Sequence, residues 1–94
     1  MEYYSKLLRV CPKKITIKEQ KTRWGSCSSK GNLNFNWRVV MAPIEVVNYL
    51  VVHELCHLIQ MNHSKEFWSL VKSVLPDYKK YESWLKLNGN NLMI

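Results

Sequence analysis

The longest regular pattern of apolar positions lies in the middle of the chain. Its members are Val46, Val47, Leu50, Val51 and Leu58. These positions follow one face of an α-helix, and they predict a helix from about Pro43 to about Gln60. Pro43 at the first helical position and Glu45 in the first turn are both typical of a helix start. Asn62-His63-Ser64 then interrupts the pattern.

Shorter apolar patterns predict three further helices. The first has its apolar face at Tyr4, Leu7, Leu8 and Cys11, and Pro12 is expected to end it at Cys11 or before. Ser64 is a suitable N-cap for the next, with an apolar face at Phe67, Leu70, Val71 and Val74. The last follows Pro76-Asp77, ends near Asn88-Gly89 and carries Tyr78, Tyr81, Trp84 and Leu85.

Alternation with a period of two predicts a small sheet in the first half of the chain. Lys14–Lys18 alternates polar and apolar residues and is rich in β-branched side chains, so we expect a half-buried strand there. Asn32–Trp37 alternates strictly, and Ser28–Gly31 is typical of a turn that joins it to Thr22–Cys27. These segments predict a β-hairpin beside the first strand, and so a small antiparallel sheet.

Within this predicted sheet, the sequence makes specific predictions for Trp37, Trp24 and Gly25. Leu33, Phe35 and Trp37 share one face of their strand, so we expect Trp37 to pack in the core. Trp24 either packs in the core or lines a cleft. Gly25 inside a strand indicates a bulge or the close approach of another part of the molecule.

These elements and the composition place the chain in the α+β class. At 94 residues, with 47% hydrophobic residues and four Trp, residues 1–94 are expected to form one folded domain with a modest core. The net charge of +7 permits an anionic partner such as nucleic acid. The basic residues are dispersed, however, so we expect any such binding to be weak, and a solvated basic surface is the simpler interpretation.

The cysteines and the N-terminal residues indicate the cellular compartment of the protein. Cys11, Cys27 and Cys56 are odd in number and lack C-x-x-C spacing, so we expect free buried thiols in a reducing cytoplasm rather than a disulfide framework. The first residues lack the features of a signal peptide, and no apolar run approaches the roughly 18 residues that span a bilayer. The expected protein is therefore cytoplasmic, with no membrane partner.

The central predicted helix carries the residues with recognisable chemistry. His53 and His57 are four positions apart, so both imidazoles lie on one helix face and can reach a single Zn²⁺. Glu54 projects to the side of that pair, where a carboxylate can accept a proton from an attacking water. This is the His-Glu-x-x-His pattern of zinc peptidases. The alternative is an ordinary core helix with two hydrogen-bonded histidines and a surface Glu.

A catalytic zinc requires a third protein ligand. His63 is the remaining histidine, and the predicted helix end at Met61-Asn62 allows the chain to turn it back toward the pair. If His63 is instead a surface residue, a carboxylate would complete a His₂-carboxylate site. The candidates for that role are Glu66, Asp77 and Glu82.

Four motifs in order resemble the YgjP-like predicted zinc metallopeptidases, which are relatives of the WLM and SprT-type proteases. The motifs are Thr22–Cys27, Val52–Leu58, Asn62–Trp68 and Leu75–Tyr78, and the resemblance covers roughly residues 13–88. It implies a zincin-like fold in which a small sheet packs beside the His-Glu-x-x-His helix. It also implies that His53, His57 and His63 are the zinc ligands and that Glu54 is the catalytic acid/base.

The chain departs from related patterns in two ways. Members of the family usually carry a longer N-terminal region, so the chain is expected to be a minimal domain or a C-terminal fragment of a longer protein. The histidine spacing matches the metzincin pattern, but Gln60 stands where that pattern has Gly, so the turn must be made differently.

The sequence therefore predicts a zinc-dependent peptidase that acts on a peptide or protein substrate. An extended substrate is expected to add as a strand to an exposed edge of the sheet. Candidates for stabilising the oxyanion are Arg23, Arg38, Tyr78 and Tyr81. Two alternatives remain open, a nucleic-acid-associated protease module that acts on DNA-bound proteins and a non-catalytic structural zinc domain. The sequence leaves the oligomeric state undetermined.

Overall fold

The computed structural model describes residues 2–18 and 24–88 and has an α+β architecture, as predicted. The elements in chain order are α1 (Glu2–Leu8), β1 (Lys14–Lys18), β2 (Gly25–Cys27), β3 (Asn32–Asn36), a 3₁₀ helix (Trp37–Met41), α2 (Ile44–Cys56), α3 (Lys65–Val74) and α4 (Tyr78–Asn88). No helix within the described ranges is long and apolar enough to cross a membrane.

The three strands form a mixed sheet in the order β1-β3-β2. The hairpin is confirmed, because β2 and β3 pair antiparallel through a turn in which the Gly31 amide donates to the Ser28 carbonyl at 3.0 Å. The expectation of a wholly antiparallel sheet is wrong for β1, which pairs parallel with β3. Two reversals of direction make β1 and β3 run the same way, and β1 lies beside β3 rather than β2.

The helices begin and end for identifiable reasons. At the end of α1, Arg9 adopts a positive φ of 56° and the Val10 amide donates to the Ser5 carbonyl. This arrangement is typical of a helix C-terminus, and it ends α1 at Leu8, three residues before Cys11. Ser64 caps α3 as predicted, because its hydroxyl accepts a hydrogen bond from the Phe67 amide at 3.3 Å. The central helix, α2, ends at Cys56 rather than near Gln60.

The core lies between α2 and the elements around it. Every residue of α2 from Tyr49 to Cys56 is buried, because the sheet covers one side of this helix and the other helices cover the rest. Leu33 of β3, Phe67 of α3 and Leu85 of α4 are each at most 1% exposed. Burial of each such side chain contributes about 1.5–3 kcal/mol. The motif helix is thus the central element of the fold.

Trp37 and Cys11 were predicted to be buried, and both are exposed. Trp37 is 42% exposed, because β3 ends at Asn36 and the chain enters a 3₁₀ helix whose Arg38 amide is capped by the Asn36 side chain. The alternation that placed Trp37 in the core therefore ends one residue before it. Trp24, for which two environments were open, is buried in the core at 4% exposure. All three thiols are free as expected, but Cys11 is exposed, and only Cys56 is fully buried.

Candidate metal centre

The first two histidines belong to one row of side chains along α2. Tyr49, His53 and His57 are spaced four residues apart, so they lie one above another on the same helix face. All three are buried, and the ring centroids of His53 and His57 are 5.0 Å apart. Helix geometry alone therefore brings the two imidazoles together.

The third histidine reaches this row from the exit of α2. Successive amides from His57 to Ile59 donate to carbonyls three residues back, which tightens the end of the helix into a turn. His63 follows that turn, and its Nε2 lies 3.1 Å from Nε2 of His57. One nitrogen from each of the three histidines lies within 4.8 Å of the others. The chain thus turns His63 back toward the pair.

This spacing suits a metal ion. Ligands placed tetrahedrally at about 2.0–2.1 Å from zinc lie about 3.3 Å from one another. The nitrogens of His57 and His63 lie 3.1 Å apart, close to that separation, and no pair among the three histidines is more than 4.8 Å apart. The donor set is all imidazole, which zinc and other transition metals favour.

The protonation of His57 is set by its surroundings. Its Nδ1 lies 3.0 Å from the Gln60 carbonyl oxygen, which can only accept, so Nδ1–H donates and Nε2 keeps its lone pair. Burial lowers the pKa of His57 and, helped by the two neighbouring histidines, that of His63. Both rings are therefore favoured in the neutral form, which is the form that binds metals.

Aromatic side chains from α3 and α4 hold the imidazoles in place. The Phe67 ring stacks on His57 with centroids 4.4 Å apart, and Trp68 stacks on His63 at 5.7 Å. Tyr78 in turn stacks on Trp68 at 5.2 Å. These ring contacts restrict the orientations of the His57 and His63 imidazoles.

Glu54 is buried beside the cluster, with 1% of its surface exposed. Its Oε2 lies 3.2 Å from Nδ1 of His53, while Oε1 is buried without a hydrogen-bond partner among the described residues. An unsatisfied buried carboxylate oxygen costs about 1–3 kcal/mol or more. A metal ion and its water would give this carboxylate both a compensating charge and a hydrogen-bond donor, so the residues present fit such a group.

The alternative carboxylate ligands are not brought into the cluster. Within residues 2–18 and 24–88, the three histidines form the one group of potential ligands with the spacing for a metal ion. Glu66 and Asp77 are exposed. Glu82 is only partly exposed, and its Oε1 lies 3.8 Å from Nζ of Lys86 on the same helix.

Three of the four candidates for stabilising the oxyanion lie within the described residues, and one does not. Arg23 lies outside the described residues. The Arg38 guanidinium lies 5.1 Å from the centre of the Trp37 ring, in the 3₁₀ helix. Tyr78 stacks on Trp68, and the ring of Tyr81 is 6.3 Å from that of Tyr49, so both tyrosines belong to the aromatic surroundings of the histidines.

Tyr49 is a neighbour of the site that the sequence reasoning missed. Its ring meets the edge of His53 with centroids 5.8 Å apart, and its hydroxyl is buried without a partner among the described side chains. Burial, followed by the charges of Glu82 and Glu54, raises its pKa. The signal was present in the sequence, since Tyr49 precedes His53 by the same four residues that separate the two histidines.

Comparison with known families agrees with this geometry. The sequence model of the YgjP-like metallopeptidase domain matches residues 1–88. The chain belongs to the YgjP-like metallopeptidase family. This membership confirms the resemblance drawn from the four motifs and makes the protein a peptidase of the metal-dependent type. Together with the histidine cluster of the described chain, this membership suggests a bound metal ion.

The fold is similar to that of a solved metallopeptidase. The crystal structure of the metallopeptidase zymogen of Pyrococcus abyssi abylysin superposes with a TM-score of 0.83 at 24% sequence identity, covering 98% of this chain and 94% of that one. At this identity the likeness concerns the fold. No curated protein sequence matches the chain.

Proposed function

We propose that this YgjP-like protein is a zinc-dependent peptidase in which His53, His57 and His63 hold the metal and Glu54 is the general base. The observation that carries the proposal is the convergence of three imidazoles beside a buried carboxylate that has one unpartnered oxygen. Zinc is the metal we favour, because a set of three protein ligands with an open fourth position is its usual catalytic arrangement.

The proposed ligand nitrogens lie within 4.8 Å of one another, which supports their binding one metal ion. His57 offers Nε2, since its Nδ1–H is committed to the Gln60 carbonyl. His63 offers Nε2 as well, 3.1 Å away. When bound, zinc would lower the pKa of a water molecule and polarise the scissile carbonyl.

Glu54 moves the proton. Its carboxylate accepts a proton from the attacking water and then passes it to the nitrogen of the leaving amine. Because the side chain is almost entirely buried and one oxygen lacks a partner, little reorganisation of solvent opposes this transfer.

The outer edge of β2 is the position we propose for the substrate. β2 is the last strand in the order β1-β3-β2, and its outer side pairs with no strand among the residues that the structure describes. Gly25 at its start lies against Glu54, so a peptide added to this edge would pass close to the general base. Main-chain pairing of this kind tolerates many sequences and selects extended peptides or unfolded protein segments.

The proposed function is tested by metal analysis and a proteolysis assay on the same preparation, which has not been exposed to a chelator. We expect one zinc per chain and hydrolysis of casein that a chelator abolishes. Protein without stoichiometric metal would contradict the proposal. Protein with zinc and no hydrolysis would instead support a structural zinc domain.

The third ligand is decided by a matched set of alanine variants. His63→Ala should lose zinc about as completely as His53→Ala, because removing one of three ligands leaves the site incomplete. Glu82→Ala and Glu66→Ala should retain it. If Glu82→Ala loses zinc while His63→Ala keeps it, the ligand from α4 replaces the one from the exit turn.

A further inference from the structure

Gly25 is buried at the start of β2, directly opposite Phe35 of β3. A Cβ atom built at this position would lie 3.2 Å from the Asn34 carbonyl oxygen, 3.3 Å from Oε2 of Glu54 and 3.4 Å from its Cγ. Two of the three nearest atoms therefore belong to the proposed general base. The bare backbone of Gly25 is the surface against which that carboxylate rests.

Space, rather than backbone conformation, accounts for glycine at this position. Of the two glycines that the structure describes, only Gly31 has a positive φ, at 87°. Gly25 has a backbone that any residue adopts, and glycine weakens a strand relative to alanine because it has more conformational freedom to lose. A side chain at Gly25 would lack room, because Glu54 occupies part of the space that it would need.

The neighbours of Gly25 differ in how far they can move. The Asn34 carbonyl belongs to β3, whose pairing with β1 and β2 fixes it in the middle of the sheet. The Glu54 side chain is held only by its packing and by the contact of Oε2 with Nδ1 of His53 at 3.2 Å. A methyl group at Gly25 would therefore displace the carboxylate and alter its position relative to the histidines.

We propose that Gly25 is a positioning residue, whose missing side chain sets the place of the Glu54 carboxylate beside the metal centre. The inference rests on the proposed role of Glu54 as general base. It assigns a function to the only glycine of the described sheet strands and explains why a strand position near the site carries the smallest residue.

The variant Gly25→Ala tests the effect on catalysis, with Gly31→Ala as the matched control. A Cβ at Gly31 would meet only the Lys13 residue, no nearer than 3.5 Å, so that variant strains the backbone without touching the site. We expect Gly25→Ala to keep its zinc and its KM while kcat falls by up to about 10-fold, because the carboxylate must move by a few tenths of an ångström and misplacement by about 1 Å costs up to about 10²-fold. Gly31→Ala should lower the unfolding midpoint and leave kcat unchanged.

A double-mutant cycle in metal-free protein gives a readout that does not depend on activity. Gly25→Ala should lower the urea midpoint of the parent chain, and it should lower it much less in a Glu54→Ala background, where the methyl group has room. Equal lowering in both backgrounds would overturn the proposal, because the cost would then come from the Asn34 carbonyl. If Gly25→Ala does not fold, the double variant decides in the same way, since recovery of folding supports the contact and failure to recover overturns it.

Failure of the two proposals can be told apart. A parent chain that binds zinc but hydrolyses nothing contradicts the proposed function, while the metal-free cycle still measures the contact between Gly25 and Glu54. An active parent together with a Gly25→Ala variant of undiminished kcat overturns the positioning role alone.

Discussion

The two edges of the small sheet have very different environments. On the β2 side, Gly25 is buried and touches Glu54, and Trp24 just before it is 4% exposed. On the β1 side, Ile15 and Ile17 are 47% and 63% exposed. Yet Ile15 pairs with Leu33 in the parallel ladder, so it lies on the same face of the sheet as a residue that is fully buried.

The difference follows from the width of the covering helix. An α-helix with its side chains is about 10–12 Å across, and neighbouring strands are about 4.7–4.9 Å apart, so one helix covers about two strands. Among the strands, α2 makes its main contacts with β2, and β1 lies beyond the far side of β3. Alternation in a sequence thus identifies the inner face of a strand, but whether that face is covered depends on what packs against it.

The largest expected effect is a loss of catalysis without a loss of structure, and it concerns Glu54 on the β2 side of the sheet. Glu54→Gln nearly preserves the size of the side chain but cannot accept a proton at neutral pH. Casein hydrolysis should fall by about 10²–10⁴-fold, the usual contribution of general base catalysis, while zinc content and folding persist. Glu45→Gln, the same change at an exposed position of the same helix, is the control and should leave hydrolysis intact.

Two results would contradict this prediction. Loss of zinc from Glu54→Gln would make Glu54 a ligand or a support for one. Undiminished hydrolysis would assign the proton transfer to another residue.

A smaller effect tests the burial of the middle strand, β3. Leu33→Ala removes a fully buried side chain and should destabilise the fold by about 2–5 kcal/mol, as large-to-small core substitutions do. Urea unfolding of the metal-free protein measures it. A cost below about 1 kcal/mol would mean that β3 is less well covered than the structure indicates.

The parts that the sequence predicted correctly are those decided locally. The bounds of β1, the cap at Ser64 and the exit turn before His63 depend on residues within a few positions of one another. The convergence of three histidines was likewise predictable, because two share a helix face and the third follows the helix end. The roles of His53, His57, His63 and Glu54 in binding and catalysis remain predictions.

The parts that the sequence could not predict depend on distant partners. The parallel pairing of β1 is a choice of neighbour in the sheet, which no local pattern encodes. The exposure of Trp37 follows from where β3 ends, and a pattern of period two continues one residue past that point. The contact between Gly25 and Glu54 joins β2 to α2, so the sequence indicated a close approach at Gly25 but not its partner.

Thiol reactivity should also distinguish the two sides of the sheet. Burial, followed by the negative charge of Glu54, raises the pKa of the Cys27 thiol to about 11, so at pH 8 very little of it is the reactive thiolate. Cys11 is exposed on the chain leading to β1. Alkylation followed by mass spectrometry should label Cys11 first and Cys27 roughly 100-fold more slowly than an ordinary exposed thiol.

The charge of Glu54 offers a check on this labelling order. Glu54→Gln removes the negative charge and should lower the Cys27 pKa, so Cys27 should be labelled faster in that variant, with Cys11 unchanged. Equal rates for Cys11 and Cys27 in the parent chain would show that the β2 side is more open than the structure indicates.

The smallest expected effect lies on the β1 side. Ile17→Thr keeps a β-branched side chain at an exposed position of an edge strand and should change the free energy of unfolding by no more than about 0.5 kcal/mol. Zinc content and casein hydrolysis should match the parent. A loss comparable to that of Leu33→Ala would mean that a part of the protein covers this edge in solution.

The three histidines of the candidate centre all come from one short stretch, from α2 through its exit turn to the residue before the cap of α3. A metal bound there closes a loop of only a few residues, and the entropy cost of closing so short a loop is small. Binding and release of the metal are then local events. Removing it with a chelator should raise amide hydrogen exchange in the connection between α2 and α3, while the amides of β3 keep their protection.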